Sequence, residues 1–125
     1  MSAPESCSSL RASKCIPCEG GIPKMSISEA NAQMGELQGW EVLSEPDRLR
    51  KSWIVDNFPA AIEFFQRIAE LAESEAHHPD LHLVRYRTVS VEVWTHAIDG
   101  LSLNDFILAA KIDALPVRLK ISREV

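Results

Sequence analysis

The sequence predicts an α+β domain in which helices cover one face of a four-stranded antiparallel sheet. Two pairs of short runs with alternating apolar residues predict two β-hairpins. An apolar stripe of helical period lies between the pairs, and further helical segments flank them, which gives the order α-β-β-α-β-β-α. With 125 residues, 46% of them hydrophobic, the chain suffices for one core.

The first 24 residues are predicted to form an irregular arm, because Ser, Pro and Gly recur throughout them. The remaining residues, 25–125, are predicted to form a single domain. The arm contains Cys7, Cys15 and Cys18 but no apolar segment typical of a secretory signal. Because three cysteines cannot all pair, we expect free thiols and a reducing, cytoplasmic compartment.

The first helix is predicted to begin at Ser26, which forms a capping-box pattern with Glu29, and to end at Gly39. The runs at 40–45 and 48–56 are short and are separated by a Pro-Asp pair. They therefore predict the first hairpin.

A long helix is predicted over residues 58–75, with Asn57 and Pro59 marking its start. Pro79 prevents its continuation, because proline restricts the residue before it. The apolar stripe that would face the core comprises Ala61, Phe64, Phe65, Ile68, Leu71 and Ala72.

The second hairpin is predicted over 82–86 and 89–95, the latter with valines at every second position. A last helix is predicted to begin near Ser102, again with a capping pattern. The tail from residue 116 alternates weakly, which is compatible with a short strand or an irregular end.

The bulk composition excludes two classes of partner. A net charge of −5 argues against a broad phosphate-binding surface, so no direct binding of nucleic acid is expected. No apolar run approaches the ~18–20 residues that a membrane helix needs. Phosphate-binding loops and nucleophile-elbow motifs are also missing from the sequence.

All four histidines lie between residues 73 and 96. Because histidine titrates near neutral pH, such a cluster indicates proton transfer. Glu73 lies one helical turn before His77 and could orient its imidazole if the helix continues that far. If the sheet brings the end of its last strand beside the end of the long helix, His96 would join His77 around one substrate.

Other readings of these residues remain open. Cys15 and Cys18 with His78 and His82 have the internal spacings of a zinc site, but the two halves are far apart in the chain. His82 is predicted to face solvent from a strand. Glu73 can also be read as a solvated carboxylate, and Asp105 as a helix cap. The tryptophans can also be read as anchors in the core or at an interface.

Two histidine-containing blocks, ESEAHHPD and THAIDGLSLNDFILA, resemble the pterin-4a-carbinolamine dehydratase family. The resemblance covers about residues 15–115, and the spacing of the two blocks makes it specific. The residues that carry it are Glu73, His77, His78, Pro79, Thr95, His96, Gly100, Leu101, Ser102 and Asp105, with Gly39, Trp40 and Trp53 in support.

The resemblance implies the same element order and pairing through the sheets into a homodimer or homotetramer. It implies a lyase that removes water from 4a-hydroxytetrahydropterin during tetrahydrobiopterin recycling, with a pterin as its small-molecule substrate and with neither cofactor nor metal. It implies His77 and His96 as the proton-transfer pair, with Glu73 orienting the catalytic site. The substrate-binding residues that it implies are His78, Pro79, Thr95 and Asp105.

The sequence also departs from this family. The segment from His78 to His96 is one residue longer than in animal-type members, and Leu81 stands where many members have an aromatic residue. An alternative substrate is therefore another pterin, such as a molybdopterin-related compound. A second alternative is a non-catalytic dimerisation module for a transcription factor.

Overall fold

The structure, a computed structural model, describes residues 25–120. The predicted arm with its cysteines lies outside the described residues, as do residues 121–125. The strands are β1 Glu41–Leu43, β2 Arg48–Ile54, β3 Asp80–Val84 and β4 Thr88–Val93. The helices are α1 Ile27–Gln33, α2 Phe58–Glu75 and α3 Leu103–Asp113, with short 3₁₀ turns at Met34–Glu36 and His96–Ile98.

The four strands form one antiparallel sheet in the order β1-β2-β4-β3. The hairpins β1-β2 and β3-β4 therefore lie side by side, with β2 against β4. The helix α3 packs on β2 and β4, and α2 packs on α3. This confirms the predicted α+β class, the antiparallel sheet and the order of the elements.

The core lies between the helices and one face of the sheet. Every second residue of β4 is buried there, as the alternation of its valines predicts. Trp53 of β2 contacts Trp40 and Phe64 edge to face, with ring centroids 5.9 and 5.0 Å away. Trp40 and Trp53 are thus the core anchors that the sequence allowed. The largest fully buried side chains include Phe64, Phe106, Leu49, Ile68, Leu101 and Leu108.

The predicted bounds of the second hairpin are shifted by two residues in β3, which spans 80–84 instead of 82–86. Arg85 and Tyr86 have φ of 54° and 56°, in the left-handed region, and so form the turn. Neither residue is the glycine or asparagine that normally signals such a turn. β4 then ends at Val93, so Trp94 and Thr95 lie just beyond the strand.

The chain after α3 returns along α2 to the end of β2. Val55 and Leu119 form an isolated antiparallel bridge, so the tail is strand-like at this point. Arg118 donates two hydrogen bonds of 3.1 Å to the Glu63 carboxylate on α2. This hydrogen bonding, together with the arginine's charge, holds the pKa of Glu63 below its ordinary value. None of the helices within residues 25–120 has both the length and the hydropathy needed to cross a membrane.

Candidate active site

Three of the four histidines meet where α2 ends and where the chain leaves β4. They line a cleft of about 190 Å³. One wall comes from the segment after α2 and the other from the segment after β4, as the sequence reasoning required. The lining residues are Ala76, His77, His78, Trp94, His96 and Ala97.

The end of α2 determines where two of these histidines point. Ala76 has φ 54° and ψ 39°, a left-handed conformation that reverses the chain at the helix C-terminus. Its N–H bonds to the last-turn carbonyls of Ala72 and Glu73, and the N–H of His77 bonds to the carbonyl of Ala72. As a result His77 turns into the protein, where it is 5% exposed, while His78 stays at the surface.

His77 is held from behind by the carboxylate of Asp105. Its Nε2 lies 2.6 Å from Asp105 Oδ1, and Asp105 is fully buried. The other carboxylate oxygen, Oδ2, accepts a hydrogen bond from the Thr95 hydroxyl (2.8 Å) and one from the backbone N–H of Ser102 (2.9 Å). Because the Thr95 proton goes to Asp105, the Ser102 hydroxyl is the donor in its 2.9 Å contact with Thr95.

This arrangement joins a helix cap to a histidine. Ser102 is the N-cap of α3 and forms a capping box with Asp105, which is the helix-cap role considered from the sequence. The same carboxylate orients His77, which is 28 residues earlier in the chain. A carboxylate behind an imidazole fixes which ring nitrogen carries the proton.

Glu73 is paired with a different histidine from the one expected. Because α2 ends at Glu75 and Ala76 reverses the chain, Glu73 does not reach the buried His77. Its Oε2 lies 2.7 Å from Nε2 of His78 instead. Both side chains are largely exposed, 76% for Glu73 and 61% for His78, so this is a surface pair at the mouth of the cleft.

His96 lies on the other wall, at the start of the 3₁₀ turn that follows β4. It is exposed, and its imidazole centroid is 4.2 Å from that of the Trp94 ring, with 67° between the planes. Trp94 in turn donates its indole N–H to Asp80 Oδ2 at 3.1 Å. The sequence analysis did not single out Trp94 for this site. Its position two residues before His96 is the signal that would have found it.

The remaining residues implied by the resemblance do not all face the cleft. Pro79 is half-buried and leads from His78 into β3. Thr95 and Asp105 are fully buried behind His77 and are hydrogen-bonded to each other. Contact between these two side chains and a substrate would therefore require the buried network to open.

The fourth histidine lies outside the cleft. His82 is exposed on β3, and its Nε2 is 4.0 Å from Glu92 Oε2. This placement agrees with its reading as a solvent-facing residue. Within the described part of the chain, His, Cys, Asp and Glu side chains form no group of three or more that could hold a metal ion. The cysteine half of the zinc pattern lies outside the described residues.

Comparisons with known proteins agree with this geometry. The family model described as Pterin 4 alpha carbinolamine dehydratase matches residues 23–115. The Arabidopsis thaliana protein "Pterin-4-alpha-carbinolamine dehydratase 2, mitochondrial" is 47% identical over 111 residues, which are 86% of this chain and 59% of that protein. A Rickettsia bellii protein named "Putative pterin-4-alpha-carbinolamine dehydratase" is 49% identical over 107 residues, covering 86% of this chain and 94% of its own.

A solved structure supports the same conclusion. The crystal structure of a transcriptional coactivator/pterin dehydratase from Brucella melitensis matches with a TM-score of 0.68 and 28% identity, over 74% of this chain and 97% of that one. The sequence match, the fold and the converging histidines thus agree. The chain belongs to the pterin-4a-carbinolamine dehydratase family.

Proposed function

We propose that this chain removes water from a 4a-hydroxytetrahydropterin and releases the quinonoid dihydropterin. The observation that carries the proposal is the convergence of His77, His78 and His96, from two separate segments, on one cleft. The names of the relatives support the substrate class, because both contain the words pterin-4-alpha-carbinolamine dehydratase.

The reaction needs one proton donor and one proton acceptor. Hydroxide is a poor leaving group, so an imidazolium protonates the C4a hydroxyl as the carbon–oxygen bond breaks and water departs. A neutral imidazole accepts the proton that the pterin ring loses as the new double bond forms. One proton enters and one leaves, so no redox partner is consumed.

His77 and His96 are the proposed proton-transfer pair. His77 is buried and fixed by Asp105, so its imidazole is already oriented before the substrate arrives. His96 is exposed on the other wall, where it can exchange a proton with solvent between turnovers. A positioned acid or base typically accelerates such a step by ~10²- to 10⁴-fold.

His78 and Glu73 have the proposed role of binding the polar edge of the pterin at the mouth of the cleft. Their 2.7 Å hydrogen bond holds the imidazole in place. Thr95 and Asp105 support substrate binding indirectly, because they hold His77 in position. Pro79 contributes by fixing the direction in which His78 leaves the helix end.

The proposed physiological setting is the recycling of tetrahydrobiopterin after its use by an aromatic amino acid hydroxylase, in the cytoplasm. The substrate alternative is another pterin, such as a molybdopterin-related compound. Assembly into a homodimer or homotetramer stays a prediction, and light scattering on a sizing column measures it directly.

The test is stopped-flow absorbance of chemically generated 4a-hydroxytetrahydropterin. Wild type is compared with His96→Ala and with His77→Gln, whose amide can still bond to Asp105 if His77→Ala fails to fold. His82→Ala is the matched control, because this exposed histidine lies outside the cleft.

Both cleft variants are expected to lose ~10²-fold or more in rate while the control keeps the wild-type rate. If all three variants dehydrate the substrate as fast as wild type, the histidines are not the proton-transfer groups. A non-catalytic binding module would show no acceleration in any of the four proteins.

A further inference from the structure

Trp94 is the largest side chain on the cleft wall, and the acid–base chemistry of the histidines does not use it. It follows directly after β4 and is half-buried. Its neighbours Val93 and Thr95 are fully buried on the helix side of the sheet. Because side chains alternate along an extended chain, the indole points the opposite way from these two neighbours; part of it packs against the core, and the rest lines the cleft.

Two contacts hold the indole in one orientation. Its N–H donates to Asp80 Oδ2 at 3.1 Å, across the β3-β4 ladder, in which Asp80 pairs with Glu92. Its ring lies 4.2 Å from the imidazole of His96, centroid to centroid. A side chain fixed at its N–H and against one neighbour is already positioned before a ligand arrives.

These contacts determine what Trp94 can offer a ligand. Indole has a single hydrogen-bond donor and no acceptor, and Asp80 already takes that donor. What remains for a ligand is the apolar π surface of the ring, which suits a flat heteroaromatic group. A planar ring placed on this surface would lie beside His96, within the cleft.

The position at which many members of the family have an aromatic residue does not supply such a surface here. That position is Leu81, which pairs with the buried Val91 and packs against the core. Among the described residues that line the cleft, Trp94 is the side chain with an extended aromatic surface.

We propose that Trp94 binds the ring of the substrate in this cleft: its indole stacks on the bicyclic ring of the pterin, and Asp80 is the residue that positions the indole. The inference rests on the proposed function for the identity of the ring, and it adds the residue that recognises it. It predicts that binding of the pterin depends on the aromatic ring at position 94, whether or not the bound pterin can react.

The test measures binding without chemistry. Isothermal titration calorimetry with 7,8-dihydrobiopterin uses a pterin that has no 4a-hydroxyl to lose. Trp94→Leu is expected to weaken binding by about 5- to 150-fold, the range for one base stacked on one aromatic side chain. Trp94→Phe retains a ring and is expected to lose less.

Two further comparisons separate stacking from general damage to the fold. Asp80→Ala is expected to weaken binding, whereas Asp80→Asn should restore it, because its amide oxygen can still accept the indole N–H. Trp40→Phe is the matched tryptophan control. Trp40 also donates its N–H to a carboxylate, that of Asp113, at 3.0 Å, but it is buried in the core. This control should bind the pterin with wild-type affinity.

The outcomes distinguish this inference from the proposed function. Wild-type affinity in Trp94→Leu, or no binding by the wild-type protein, overturns the stacking role. If wild type binds the dihydropterin with the predicted dependence on Trp94 but does not accelerate dehydration, the stacking role stands and the proposed reaction fails.

Discussion

Replacing Asp105 by Asn tests how the buried network controls His77. The substitution keeps the shape of the side chain but removes its charge and one acceptor. In wild type, Oδ2 accepts from both Thr95 and the Ser102 N–H, while Oδ1 accepts from His77. The single amide oxygen of Asn accepts the most hydrogen bonds if it occupies the Oδ2 position, where both donors point. Its NH₂ group would then face Nε2 of His77.

Two N–H groups cannot hydrogen-bond to each other, so His77 has to move its proton from Nε2 to Nδ1. Nδ1 then carries the proton and Nε2 is the acceptor, so the roles of the two ring nitrogens are reversed. We expect the dehydration rate to fall by ~10²- to 10⁴-fold, the full contribution of one acid–base group. Replacing the carboxylate behind a catalytic histidine has a comparable effect in serine proteases.

The cost in stability should be smaller than the cost in activity. Hydrogen bonds to a charged acceptor contribute about 1.5–3 kcal/mol and neutral ones about 1 kcal/mol. Because the variant also no longer buries a charge, part of this loss is offset. We expect the free energy of unfolding to fall by about 1–3 kcal/mol, measured by urea denaturation.

Glu29→Gln is the matched control for Asp105→Asn. Glu29 has the same place in the capping box of α1, where it accepts a 2.8 Å hydrogen bond from the N–H of Ser26, but it is exposed. It should lose a few tenths to about 1 kcal/mol of stability and no activity. An Asp105→Asn protein that is folded and fully active would refute the account of His77.

Three further predictions concern other parts of the molecule. Phe64→Ala should lower the free energy of unfolding by about 3–5 kcal/mol in urea denaturation, because Phe64 is fully buried. Since Arg118 lowers the pKa of Glu63, the pair stabilises the protein above the ordinary pKa of Glu63, and this stability is lost as the pH falls through the lowered value. Glu63→Gln should therefore destabilise the protein less at pH 3 than at pH 7, and equal destabilisation at both would contradict the assignment. Glu73→Gln should change stability by less than about 1 kcal/mol, because its pair with His78 is exposed, yet it should raise KM more than it lowers kcat.

Local signals account for the parts of the fold that the sequence predicted. The capping patterns at Ser26 and Ser102 involve residues three apart, so their hydrogen bonds form wherever the helix begins. The alternation of valines in β4 reports directly which face is buried. The order of the elements follows from these local patterns, and the antiparallel pairing follows from the order.

The details of the site depend on contacts that local patterns do not contain. Glu73 was expected beside His77 only if the helix continued that far, and it does not, because Ala76, a residue without the usual turn signal, adopts a left-handed conformation. The bond between His77 and Asp105 joins residues 28 apart, and it forms only because α2 and α3 pack together. Trp94 packs in part against the core, as its reading as an apolar anchor expected, but its additional place on the cleft wall depends on where β4 ends.

Catalysis by the histidine cleft is measured most directly as the rate at which the wild-type protein dehydrates 4a-hydroxytetrahydropterin, compared with the uncatalysed rate in the same buffer. We expect acceleration that rises in proportion to protein concentration and disappears in the double variant His77→Gln/His96→Ala. If wild type leaves the uncatalysed rate unchanged, the cleft of histidines does not catalyse this dehydration.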